Sequence, residues 1–123
     1  MTDYSNTEFG LIVTIVNRGY ADTVIDAARE AGARGGTVLY ARGTGIHETE
    51  KFMNISIQPE KEMVLTLVRK GAVKDVTHAI LIAAGLKTQG RGISFTLPVT
   101  DVVGIVTDFE SYEKGESSEE NSQ

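Results

Sequence analysis

The chain has no cysteine and no tryptophan, and only two prolines in 123 residues. Without cysteine there is no disulfide scaffold, no thiolate nucleophile and no cysteine-ligated zinc. Long apolar runs are missing as well, and no stretch approaches the roughly 20 residues that cross a bilayer. The start, Met1-Thr2-Asp3-Tyr4-Ser5-Asn6, is polar and has no apolar signal core, so a cytoplasmic protein without membrane insertion is expected. A basic bias is also absent. The net charge is −5, and residues 108–123 account for all of it, with Asp108, Glu110, Glu113, Glu116, Glu119 and Glu120 against the lone Lys114. The rest of the chain is neutral, which argues against a nucleic-acid partner. Residues 108–123, rich in serine and glutamate, read as a disordered solvating tail; a regulatory or partner-binding tail has the same composition.

What is there suits one soluble domain over residues 1–107: 41% of the chain is hydrophobic and 24% charged. Phe9 to Val16 is an apolar, β-branched run that reads as a central strand buried on both faces, broken by Asn17-Arg18-Gly19. From Tyr20 to Ala31, apolar Val24, Ala27, Ala28 and Ala31 mark one helical face, with Gly32 as the stop. Thr37 to Ala41 is a second strand. A polar, glycine-punctuated loop follows from Arg42 to Lys51, then a possible strand from Phe52 to Ile57, which Pro59-Glu60-Lys61-Glu62 interrupts before strand character resumes over Met63 to Val68. Val73, Val76, Thr77, Ile80, Leu81 and Ala84 repeat at three and four, predicting a helix that ends at Gly85. Ile93 to Leu97 and Val102 to Val106 close the series as strands.

Two βαβ halves in a chain of this size predict an α+β, ferredoxin-like βαββαβ sandwich: an antiparallel sheet with both helices on one face. The strands are too apolar on both sides for either face to meet water, so the open face is expected to be covered by oligomerisation.

The stretch with the most chemical content is Lys87-Thr88-Gln89-Gly90-Arg91-Gly92, leading into Ile93-Ser94-Phe95-Thr96-Leu97-Pro98-Val99. Gly90 and Gly92 allow backbone N–H groups to turn toward an anion, and Lys87 and Arg91 bring positive charge to the same place. A phosphate suits such a loop; a plain turn from helix to strand has the same composition. Other candidates are weaker. His47, Glu48 and Glu50 are metal-ligand types on a loop, or a solvated cluster. His78 falls on the second helix, and Asp22 and Asp26 form a carboxylate pair that a solvated helix face explains. No serine, histidine and acid grouping points to a catalytic triad.

With these residues in place, the chain from about 9 to 107 resembles the PII signalling family. The resemblance rests on Ile15-Val16, Ala27, Gly35-Gly36-Thr37-Val38 leading to Arg42-Gly43-Thr44-Gly45, Lys61 after Pro59, and Gly90-Arg91-Gly92 before Phe95-Thr96-Leu97-Pro98-Val99. It implies a non-catalytic homotrimer with inward-packed sheets and an adenine nucleotide in each cleft between subunits. Ile15, Thr37, Gly43 and Gly45 would serve the adenine and effector-loop side, Lys61 the base of that loop, and Lys87, Gly90, Arg91 and Gly92 the phosphates. Residues 43–54 would be the effector loop that docks on a transporter or metabolic enzyme. No cofactor beyond the nucleotide and no metal is implied.

The departures from the family pattern bear on the ligand. Arg91 stands where the family usually has Asp. Ile93 replaces a family lysine, and Gly104 and Val106 replace two arginines that reach a neighbour's phosphates. The loop is short and carries no tyrosine between Arg42 and Asn54. With fewer cations available, ADP or AMP is expected in preference to ATP. The alternative is a small ferredoxin-like trimer similar to the CutA relatives of PII, binding a divalent metal or acting as an enzyme, which would depend on His47 and its acids.

Overall fold

The run expected to be a central strand is one. Strand β1, Phe9–Asn17, carries hydrogen-bonded neighbours on both sides, as its β-branched sequence favours. The computed structural model describes residues 8–43, 50–52, 55–57, 59–88 and 90–104. Along these run β1, helix α1 (Ala21–Glu30), β2 (Thr37–Arg42), the short β3 (Glu50–Phe52) and β4 (Ile55–Ile57), then β5 (Glu60–Arg69), a 3-10 turn at Lys70–Ala72, α2 (Val73–Ala84) and β6 (Gly92–Val99).

The main sheet has the order β2-β5-β1-β6 with every neighbouring pair antiparallel. β1 and β2 therefore run parallel with β5 between them, and β5 and β6 run parallel with β1 between them. These are two interleaved split βαβ units, the ferredoxin-like arrangement expected. Side chains alternate across the strands. Ile12 and Val16 of β1 and Val64 and Val68 of β5 point to the helices and form the core with Val24, Ala28, Val76 and Ile80.

The opposite face is apolar too. Leu11, Val13 and Ile15 lie in register with Leu67, Leu65 and Met63 of β5 and with Leu97, Phe95 and Ile93 of β6; Leu39 of β2 continues the row. Among the described residues no helix covers it, and Leu39, Ile93, Phe95 and Leu97 remain 44%, 57%, 43% and 47% exposed. The sheet thus has two apolar faces and, among the described residues, a helical cover on one.

Three expectations need correction. Pro59 to Glu62 does not interrupt the strand: β5 begins at Glu60, with Lys61 opposite Asn17 and Glu62 opposite Val16. The polar side chains fit because each finds a partner across the sheet, as described below. Phe52 to Ile57 is not one strand, because the chain reverses and pairs Phe52 with Ile55 in a small hairpin. Residues 101–104 form no strand, since β6 already ends opposite Phe9, the first residue of β1, and past that point β1 offers no further backbone partner. Val106, the tail 108–123, Gly45, His47, Glu48 and most of the expected effector loop lie outside the described residues.

Candidate functional site

Of the expected site residues, Ile15, Lys61, Gly90, Arg91 and Gly92 lie where β1 ends and both β5 and β6 begin. Helix α2 stops at Gly85, which takes the left-handed conformation (φ 67°) and lets the Leu86 N–H bond back to the Leu81 carbonyl at 3.0 Å. A tight turn follows: the Thr88 N–H donates to the Gly85 carbonyl (2.9 Å) and the Arg91 N–H to the Thr88 carbonyl (3.2 Å). Gly92 then enters the ladder opposite Val16, which places Ile93 beside Ile15. Gly92 is there for space. A Cβ on it would lie 2.4 Å from the Ile15 carbonyl oxygen, closer than any side chain tolerates. Gly90, by contrast, has φ +84° and nothing within 4 Å of a Cβ, so only its backbone conformation calls for glycine.

Asn17, the last residue of β1, ties this loop to β5. Lys61 Nζ donates to Asn17 Oδ1 at 2.6 Å, and Asn17 Nδ2 donates to the Gly90 carbonyl at 3.1 Å. Lys61 is only 8% exposed. The turn after Asn17 is braced from the same strand: Glu62 Oε1 accepts from the Gly19 N–H (2.9 Å) and the Ala21 N–H (3.0 Å). Tyr20, at the helix N-cap, makes no capping bond of its own, so the Glu62 carboxylate satisfies N–H groups at the start of α1 and meets the positive end of the helix. Arg91 turns toward the same segment, its guanidinium donating to the Tyr20 hydroxyl at 3.0 Å and lying 5.5 Å from the ring centroid.

A recess of about 300 Å³ opens next to Lys61, lined by Arg18, Tyr40, Ala41, Arg42 and Glu60 as well. Arg18 is ion-paired with Glu60 and sits 6.0 Å from the Tyr40 ring centroid. The hydrogen bond and the charge of Glu60 raise the already high guanidinium pKa of Arg18, so it stays a cation. Among the described residues the lining of the recess carries three cations, Arg18, Arg42 and Lys61, against one acid, Glu60, a balance that favours anions.

The remaining expected residues are placed as follows. Gly43 follows β2 and donates its N–H to the Pro59 carbonyl at 3.3 Å, which brings it beside Lys61. Lys87 is exposed on the turn after α2. Thr37 does not join the cluster: it opens β2, the far edge strand, opposite Leu65. It is separated from β6 by β5 and β1, three strand spacings or roughly 14 Å. His78, Asp22 and Asp26 are exposed helix residues, and among the described residues no group of three or more acids or histidines could hold a metal ion. Asn17, Tyr20 and Glu62 were not expected. In the sequence Asn17 reads as a strand breaker and Glu62 as part of an interruption, and only their bonds to Lys61 and to the head of α1 show what they hold.

The fold has counterparts among known proteins. The family model of nitrogen regulatory protein P-II matches residues 9–108. Among solved structures, the Arabidopsis thaliana PII protein bound to citrate is 27% identical, with a TM-score of 0.63 over 83% of this chain and 84% of that one. No curated protein matches. The matched span starts at the first residue of β1 and runs past the end of β6, so it contains the whole sheet, both helices and the Lys61–Asn17–Gly90 cluster: the chain belongs to the nitrogen regulatory protein P-II family.

Proposed function

We propose that this P-II family signalling protein binds an adenine nucleotide between subunits of a homotrimer, prefers ADP or AMP to ATP, and uses residues 43–54 to regulate a transporter or metabolic enzyme. The observation that carries this reading is the cluster at one end of the sheet, where the Gly90–Gly92 loop lies within two hydrogen bonds of the buried Lys61. Backbone amides beside a fixed cation are a fitting receptor for a phosphate. Two features support the trimer. The apolar face that carries Leu39, Ile93, Phe95 and Leu97 favours burial, and covering half-exposed side chains of this size is worth about 1 kcal/mol each. Thr37 and Gly92 sit on opposite edges of one sheet, so a ligand touching both residue types most readily takes them from two copies.

The preference for fewer phosphates follows from the charges present. Lys61 and Lys87 are at hand, Arg91 is engaged by Tyr20, and Ile93 and Gly104 carry no charge. Signalling of this kind requires no catalysis. A nucleotide with different affinity for two states of the effector segment shifts their populations, and one of equal affinity shifts nothing.

Calorimetry with ATP, ADP and AMP, with and without magnesium, tests the reading. One site per chain is expected, with ADP or AMP tighter than ATP and with affinity falling roughly 10- to 100-fold in Lys61→Met, the worth of a hydrogen bond to a charged group. Equal or tighter binding of ATP contradicts the preference, and no heat with any of the three removes the nucleotide from the proposal.

A further inference from the structure

Among the described residues, Asn17 is the side chain that bonds both halves of the site, Lys61 and Gly90. Its carboxamide orientation is settled by its partners, because a lysine ammonium only donates and a backbone carbonyl only accepts. Oδ1 must therefore face Lys61 Nζ (2.6 Å) and Nδ2 must face the Gly90 oxygen (3.1 Å). Aspartate at this position could take the first bond but could not donate the second. The two ends of the bridge differ in firmness. Asn17 and Lys61 are register partners in the β1–β5 ladder, whereas Gly90 lies in a turn at φ +84° with open space around its Cα. The segment that carries Asn17 is itself fixed, since Glu62 holds the Gly19 and Ala21 N–H groups, and the Tyr20 N–H bonds to the Asn17 carbonyl at 3.2 Å. The firm side of the bridge thus sets the position of the loose one.

We propose that Asn17 is the positioning residue of the anion site, holding the Lys61 ammonium and the Gly90–Gly92 backbone on one phosphate group. Two hydrogen bonds and one carboxamide separate Lys61 Nζ from the Gly90 oxygen, a span of at most about 8 Å. This deepens the nucleotide reading and takes its ligand from it, but the coupling of Lys61 to the loop belongs to the unliganded protein and is measurable without any nucleotide.

The test is hydrogen exchange followed by mass spectrometry on the unliganded full chain, in the wild type, Asn17→Ala, Lys61→Met and the double variant. Exchange in residues 85–92 should rise about fivefold in Asn17→Ala, the loss of one net hydrogen bond, and measurably in Lys61→Met. The double variant should exchange no faster than Asn17→Ala alone, because both changes break one relay. Peptides from α2 and the middle of β1 serve as the control for folding and should be unchanged. A loop that ignores Lys61→Met, or effects that multiply in the double variant, would overturn the proposal. Calorimetry with ADP then reads the positioning itself. Asn17→Asp keeps the Lys61 contact, loses the Gly90 bond and adds a negative charge, so affinity should fall tenfold or more; wild-type affinity in this variant would also overturn it. A wild type that binds no ADP refutes the nucleotide reading and leaves the exchange result to decide the coupling.

Discussion

Gly92→Ala is the sharpest perturbation the fold offers. The added Cβ would stand 2.4 Å from the Ile15 carbonyl oxygen, 3.1 Å from Val16 Cγ1 and 3.3 Å from Leu86 Cδ2. The first of these neighbours is backbone of the central strand, paired on both sides, and has nowhere to move. Overpacking of this kind costs about 1–3 kcal/mol, and a non-glycine residue held at φ +150° adds a further strain of about 1 kcal/mol or more. A total near 3 kcal/mol lowers the melting temperature of a domain of this size by roughly 10–14 °C. Gly90→Ala provides the comparison, because it has a positive φ of +84° but no neighbour within 4 Å, and its cost should stay near 1 kcal/mol. Thermal and urea unfolding of both variants at one protein concentration measures the difference. If Gly92→Ala melts within a few degrees of the wild type, or no lower than Gly90→Ala, then the close approach of β6 to β1 is wrong and so is the placement of the loop.

Three other changes have definite expectations. Glu62→Ala strips the acceptor from two N–H groups at the head of α1 and should destabilise by about 1–3 kcal/mol in urea unfolding, with Glu62→Gln, which keeps an oxygen there, costing less. Leu97→Glu puts a charge on the apolar face at edge strand β6; if the proposed trimer packs through this face, light scattering should show a smaller assembly than the wild type, with far-UV circular dichroism unchanged. Arg18→Ala removes an ion pair that is largely exposed, so the melting temperature should barely move, while affinity for anions at the neighbouring recess should drop.

The elements were legible to different degrees, for physical reasons. Helix α2 could be read almost to the residue, because Val76, Ile80 and Ala84 repeat on the buried face and Gly85 supplies the left-handed stop. The central strand was equally plain, and the two apolar faces of the sheet could be foreseen from strands with no polar side. The start of β5 could not. Glu60, Lys61 and Glu62 look like loop residues until Glu62 is seen to cap α1 from 41 positions away in sequence and Lys61 to bond Asn17 from 44. Periodicity reports which residues are buried; it does not report the register that pairs Asn17 with Lys61. The same limit holds for the site. Composition alone exposed the Gly90–Gly92 loop, whereas Asn17 and Tyr20, which hold it, are unremarkable polar residues after a strand. Arg91 reads from the sequence as a phosphate contact, and the structure pairs it with the Tyr20 hydroxyl.

A crystal structure of the chain grown with ADP tests the central claim most directly. The account predicts three copies packed through their uncovered sheet faces, with the nucleotide between two of them, its phosphates on the Gly90–Gly92 amides and Lys61 Nζ within hydrogen-bond distance. ADP bound at any other surface, or copies that leave the apolar face open, would contradict it.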